Sequence, residues 1–240
     1  LLTDFTDARE ETLPGDDALQ NIARERIEAL NAKYGAEDDA FFLFHRPRKW
    51  NARDRIWMGY ERKRGKLGEL NALLRGGPTE AFSLIVGRTA VLAGVKYVIT
   101  LDTDTQLPRD SAREFVGTLA HPLNRARYDE QNKLVVDGYG ILQPRRAVNL
   151  PSTNRSRYAH LCASDPGLDP YTRTESDVYQ DLFGQRSFIG KGIYHVDALE
   201  LAMQDRFPDN RLLSHDLLEG RHARSRRLSD VHLYAGYPSP

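Results

Sequence analysis

Only one cysteine, Cys162, occurs among the 240 residues. An internal disulfide is therefore excluded, which fits a reducing compartment. Zinc ligation supported by cysteine goes with it, and His45, His121, His160, His195, His222 and His232 show no zinc-ligand spacing. There is no excess charge of either sign: Lys+Arg total 34 and Asp+Glu total 34. Global charge thus gives no reason to expect nucleic acid as a partner. No clean apolar run of membrane-spanning length is present. The most apolar long window, Phe82 to Leu101, is interrupted by Arg88 and Lys96, each costing about 3 kcal/mol near a bilayer centre. It reads as a core helix followed by a strand. The chain opens at Leu1 without an initiator methionine, and so reads as a fragment or a processed product. Any membrane contact is expected only through parts of the parent protein outside this sequence.

The composition is that of a soluble globular protein, 40% hydrophobic and 28% charged. A chain of this length buries about 70% of its unfolded surface, enough for one large domain or two small ones. A strand end at Leu1 to Asp4 is followed by helical spacing at Leu19, Ile22, Ala23, Ile27 and Leu30, with Gly35 as its stop. Phe41 to Phe44 reads as a buried strand. Helices are expected over about 68–74 and 80–93. Tyr97 to Leu101 is the clearest strand, β-branched and apolar. A helix from Ser111, short strands at 134–136 and 141–143, and a polar stretch from Asn149 to Asp181 without any period follow. A strand near 188–194, helices near 196–203 and 214–223, and a strand near 231–234 close the chain. Alternating strands and helices predict an α/β sandwich with a mostly parallel sheet, whose ligands bind at the carboxyl ends of strands.

Several segments there can carry chemistry. Asp102-Thr103-Asp104 directly follows the strongest strand. Two carboxylates so spaced can reach one hard cation, Mg or Mn, which also takes substrate phosphate oxygens. With 21 Asp in the chain, roughly two such triplets arise by chance, so the position rather than the triplet carries the signal. A phosphohydrolase of the haloacid dehalogenase type shares the pattern, but wants Thr where Gln106 stands. Arg64-Gly65-Lys66, read as lying just ahead of a helix, offers close backbone approach and free N–H groups to an anion. Gly184 to Gly192 fails as a P-loop, with five residues between Gly184 and Gly190 and Gly192 in place of Ser/Thr. Ser214 reads as an N-cap that puts Asp216 in a first helical turn, where an anionic carboxylate is favoured and can take a proton. From Arg46 to Lys66 nine Lys/Arg face two acids, with Trp50, Trp57 and Tyr60 interleaved. That stretch suits phosphate, sugar or anionic lipid heads, or a solvated basic face.

In order, these segments resemble a processive, inverting, family-2-like nucleotide-sugar glycosyltransferase. The closer resemblance is to the glycosyltransferase domain of bacterial cyclic β-1,2-glucan synthases. Five runs carry it, at Phe41 to Asn51, Thr100 to Thr105, Gly138 to Arg145, Ser187 to Tyr194 and Leu213 to Gly220. The resemblance implies a GT-A (Rossmann-like) fold, a UDP-glucose donor, a glucan acceptor and a divalent metal. It also implies a parent protein at the bacterial inner membrane whose transfer site faces the cytoplasm. It places Asp4 at the uridine, Lys66 at the diphosphate, Asp102 at the ribose or the metal, Asp104 at the metal, and Asp216 as catalytic base. Residues 1–145 would be the nucleotide-binding half and 146–240 the acceptor-side half of one domain truncated at both ends, without the family's Gln-x-x-Arg-Trp segment. Gln185-Arg186 and His195 depart from the Glu-Gly and Asp of that pattern. A nucleotide-binding fragment without turnover is the alternative, and the phosphohydrolase a further one.

Overall fold

The computed structural model describes residues 1–35, 37–162, 174–184, 187–204, 206, 210 and 215–236. The chain divides into two compact units: Leu1–Val95 with Asp209–Arg211, and Lys96–Pro208 with Leu212–Pro240. The boundary between compact units thus falls at 95/96.

The first unit contains β1 (Leu2–Asp4), α1 (Asp16–Tyr34), β2 (Leu43–Arg46), β3 (Lys49–Asn51), β4 (Ile56–Met58), α2 (Arg62–Leu74) and β5 (Leu84–Val86). Its sheet has the order β1-β2-β5. β1 and β2 are parallel, placing Asp4 beside Arg46, while β5 runs antiparallel to β2. The apolar spacing of α1 delivers Ile27 onto Leu43 and Val86, with Ala23 and Leu30 alongside. Leu19 and Ile22, from the same expected stripe, stay exposed. Asp16 opens the helix and pairs with Arg48 at 2.5 Å. The Arg48 hydrogen bond holds the Asp16 carboxyl below its usual range.

Two expectations fail in this unit. The helix over 80–93 is absent. Leu84–Val86 is instead a strand, and Thr89–Leu92 a 3₁₀ turn. Gly87, at φ +103° between them, breaks any helix, and pairing with β2 satisfies backbone groups that local propensity would have placed in a helix. The helix expected from Gly68 begins six residues earlier, at Arg62. Gly65 and Lys66 are therefore inside α2, not in a loop ahead of it. The basic and aromatic stretch folds in part as the β3–β4 hairpin, in which Trp50 faces Trp57 with ring centroids 5.8 Å apart. Asn51 closes its turn by accepting hydrogen bonds from the Arg53 and Asp54 amides. The side-chain amides of Asn51 and Asn210 also exchange two hydrogen bonds, at 3.0 and 2.7 Å.

The second unit contains β6 (Tyr97–Thr100), β7 (Thr105–Gln106), α3 (Ser111–Ala120), β8 (Arg127–Asp129), β9 (Leu134–Asp137), β10 (Ile141–Val148), α4 (Leu150–Thr153), α5 (Arg157–Cys162), α6 (Thr174–Phe183), β11 (Gly192–His195), α7 (Val196–Met203), α8 (Asp216–His222) and β12 (Ser225–Ala235). Its sheet order is β6-β11-β10-β12-β7. Phe115 and Leu119 of α3 pack against Leu142, Ile193, Val231 and Leu233 of the sheet.

The α/β class holds, but the mostly parallel sheet does not: both main sheets are mixed. In the second unit β10 and β12 pair in parallel, and the other neighbouring pairs are antiparallel. The cause is an inserted reversed strand. β6 and β10 run the same way, yet β11 sits between them and reverses both contacts. Strand order, not strand content, decides this. β12 also exceeds its expected length. Its register against β10 slips between Pro144 and Arg145, where proline has no N–H to donate to a ladder.

Candidate functional site

In the first unit the focus is Asp4, at the carboxyl end of β1. Its Oδ1 accepts a 2.7 Å hydrogen bond from Arg46 Nε. Its Oδ2 lies 3.1 Å from Lys66 Nζ. The Arg46 side chain is only 2% exposed, and its Nη1 donates to Glu69 at 2.8 Å. Its Nη2 donates to the carbonyls of Tyr60 and Arg62. Burial opposes the charge on Arg46, but the hydrogen bonds it donates to Asp4 and Glu69 outweigh it and raise the guanidinium above its ordinary pKa. α2 comes this close because residue 65 is glycine: a Cβ there would stand 2.3 Å from the Tyr60 carbonyl oxygen and 3.1 Å from Arg46 Nη1. Beside Asp4 lies a cavity of about 190 Å³, lined by Thr3, Phe5, Leu19, Leu43, His45 and Leu84 among others. Burial pushes the His45 pKa down.

In the second unit Asp102 and Asp104 follow β6 in a turn closed by the Thr105 amide on the Asp102 carbonyl. Their side chains are 43% and 51% exposed. Lys191 Nζ lies 3.0 Å from Asp102 Oδ2 and 3.8 Å from Asp104 Oδ1. Thr100, the last residue of β6, donates its hydroxyl toward the carbonyls of Gly190 and Gly192. Gln143, fully buried in β10, accepts from the Ile189 amide at 2.8 Å. The 187–192 segment is thereby fixed between β6 and β10.

Asp216 opens α8. The Ser214 expected to cap it lies outside the described residues, as do Gln185 and Arg186. Asp216 Oδ1 lies 3.2 Å from His215 Nε2. Glu219, one turn on and buried, completes a group with His215 and Asp216 whose potential ligand atoms lie within 4.8 Å of one another. Gly190, at φ +77°, passes directly over Asp216. One loop thus connects the expected sites of this unit: Gly190 against Asp216 and Lys191 against Asp102 and Asp104. Asp4 and Lys66 are joined to each other in the first unit.

Sequence reasoning did not identify Arg46, Glu69 or Lys191. Arg46 ends a run of bulky residues, and its charge is paired with Glu69, 23 residues on in α2, which no local signal reports. Lys191 stood in the rejected P-loop reading, although its place between two glycines marks an unusual backbone. His195 has a plain structural role. Its Nδ1 accepts the Ala198 amide at the start of α7, as an N-cap carboxylate would.

The donors suit a hard divalent cation at Asp102 and Asp104: two half-exposed carboxylates face one point already held by a positive group, the Lys191 ammonium. Among the described residues no helix is long and apolar enough to cross a membrane.

No protein-family model matches the chain. Along its length, however, it is related to a glucan synthase. That relative is the cyclic β-(1,2)-glucan synthase NdvB of Rhizobium meliloti (strain 1021), 45% identical over 240 residues, which is 99% of this chain and 8% of that protein. The chain therefore spans a small part of the relative that it matches.

Proposed function

We propose that this chain is a GT-A-type glycosyltransferase segment that transfers glucose from UDP-glucose to a growing β-1,2-glucan, with inversion, inside a larger membrane-bound synthase. One observation carries the reading: in the second unit a single loop, Gly190–Lys191, touches both the Asp102/Asp104 pair and Asp216. The relationship to a glucan synthase supports it. Asp102 and Asp104 are the residues to hold Mg or Mn, which when bound supplies Lewis-acid screening of a departing diphosphate. Asp216 acts as general base. It takes the proton of the acceptor 2-hydroxyl as that oxygen bonds to the anomeric carbon and the carbon–oxygen bond to UDP breaks. On the same reading Asp4 serves the uridine and Lys66 the diphosphate. Residues 1–145 then serve the nucleotide and 146–240 the acceptor, and the transfer site of the whole synthase faces the cytoplasm.

The test is calorimetry of the 240-residue chain with UDP and manganese, alongside transfer from labelled UDP-glucose. Manganese-dependent UDP binding that is lost in Asp104→Ala is expected. Equal binding by Asp104→Ala and the parent overturns the site. UDP binding with no transfer by the chain or by the intact synthase would favour a nucleotide-binding segment without turnover.

A further inference from the structure

The Lys191 ammonium occupies the point between Asp102 and Asp104 where a divalent cation would bring its charge. Its side chain is only 12% exposed, although the two carboxylates are about half open to water. Such burial is unusual for a lysine and is tolerated because the charge is paired. The backbone carrying it is held on both sides. Thr100 donates to the carbonyls of Gly190 and Gly192, and these two residues have φ of +77° and +150°, a path that side chains rarely follow. Thr100 itself ends the strand that leads into Asp102. The lysine and the acids it faces are therefore positioned by the same residue. The crevice alongside, lined by Thr105, Pro144, Ile189, Lys191 and Leu233 among others, has a volume of about 10 Å³. That is at the limit for a single water, so this crevice is too small to take the ammonium.

We infer that Lys191 is a tethered counter-ion of the Asp102/Asp104 pair, and that a divalent cation binds there only by displacing its ammonium outward. The inference rests on the reading that this pair is the metal site. Taken by themselves, these two carboxylates and one ammonium sum to −1, and an incoming dication must also overcome like-charge repulsion from the lysine. The resting protein therefore binds a free divalent ion weakly. Lys191 is a positioning residue in this scheme: it keeps the exposed acids apart from adventitious cations and holds their turn in place until a charged ligand arrives.

The test is a manganese titration of the 240-residue chain, followed by the paramagnetic signal of free Mn²⁺. The parent, Lys191→Met, Lys191→Gln and Lys191→Arg are compared, each with and without Asp104→Ala. Removing the lysine charge is expected to tighten manganese binding about tenfold or more, the scale on which a neighbouring charge alters a carboxylate's occupancy by a proton. Lys191→Arg should stay weak, because it keeps the charge. Adding Asp104→Ala should abolish the gain. Two neutral replacements guard against one that fails to fold. If the neutral variants bind manganese no more tightly than the parent while Asp104→Ala abolishes binding, the metal site stands and the counter-ion role is overturned. If no variant binds manganese, the metal-site reading fails and the inference with it.

Discussion

Gly190 and Asp216 meet so closely that a Cβ on the glycine would stand 2.7 Å from the Asp216 Oδ1. The glycine also has φ +77°. Gly190→Ala therefore strains the backbone by about 1–2 kcal/mol and pushes on the carboxylate proposed as base. The expected result is a modest fall in stability by chemical denaturation, together with a larger loss of glucosyl transfer by the intact synthase. Normal transfer would show that the position of Asp216 does not matter to the reaction.

Asp216→Asn keeps the shape of the side chain but cannot readily take a proton. In the intact synthase, turnover is expected to fall about 10²–10⁴-fold, the usual worth of a general base, with UDP affinity almost unchanged. If turnover and UDP binding fall equally, Asp216 belongs to the donor site, and the buried Glu219 becomes the next candidate base.

Arg46→Met removes the guanidinium that joins Asp4 to Glu69. Breaking a buried pair from one side typically costs about 3–5 kcal/mol, because the partners lose their compensation. The denaturant midpoint of the first unit is the measurement, and a shift worth under about 1 kcal/mol would mean that Lys66 and Lys49 suffice as partners.

The pH dependence has a definite sign at His45. Burial lowers its folded-state pKa, so the unfolded chain binds the proton more tightly than the folded one. This contribution to stability is present above the unfolded value of about 6.5 and is lost as pH falls from there toward the folded value. The thermal midpoint should drop on acidification through that window, and His45→Gln should flatten the slope. An unchanged slope would assign the acid sensitivity to other groups.

How much of this was legible in the residues depends on range. α1, α3, α7 and β6 carry strong local periodicity or β-branched content, and they form near their expected places. Asp102 and Asp104 follow β6 as expected, because a strand end is a local signal. The strand at Leu84–Val86 and the reversed β11 were not readable as such. Each is fixed by its neighbour in the sheet, β2 in one case and β6 with β10 in the other. Lys66 was expected ahead of a helix and lies inside one, because Glu69 and Lys66 find ionic partners on the sheet that local helix propensity does not include.

The reciprocal amide pairing of Asn51 with Asn210 has a consequence for synthesis on the ribosome. Residues 1–95 emerge before Asn210 and hold most of the first unit, but Asn210 belongs to that unit as well. The hairpin turn at Asn51 thus waits for a partner made only after most of the second unit has been translated. Until then the polar amide of Asn51, almost fully buried in the finished protein, lacks its Asn210 partner. The first unit is early in chain order and late in completion.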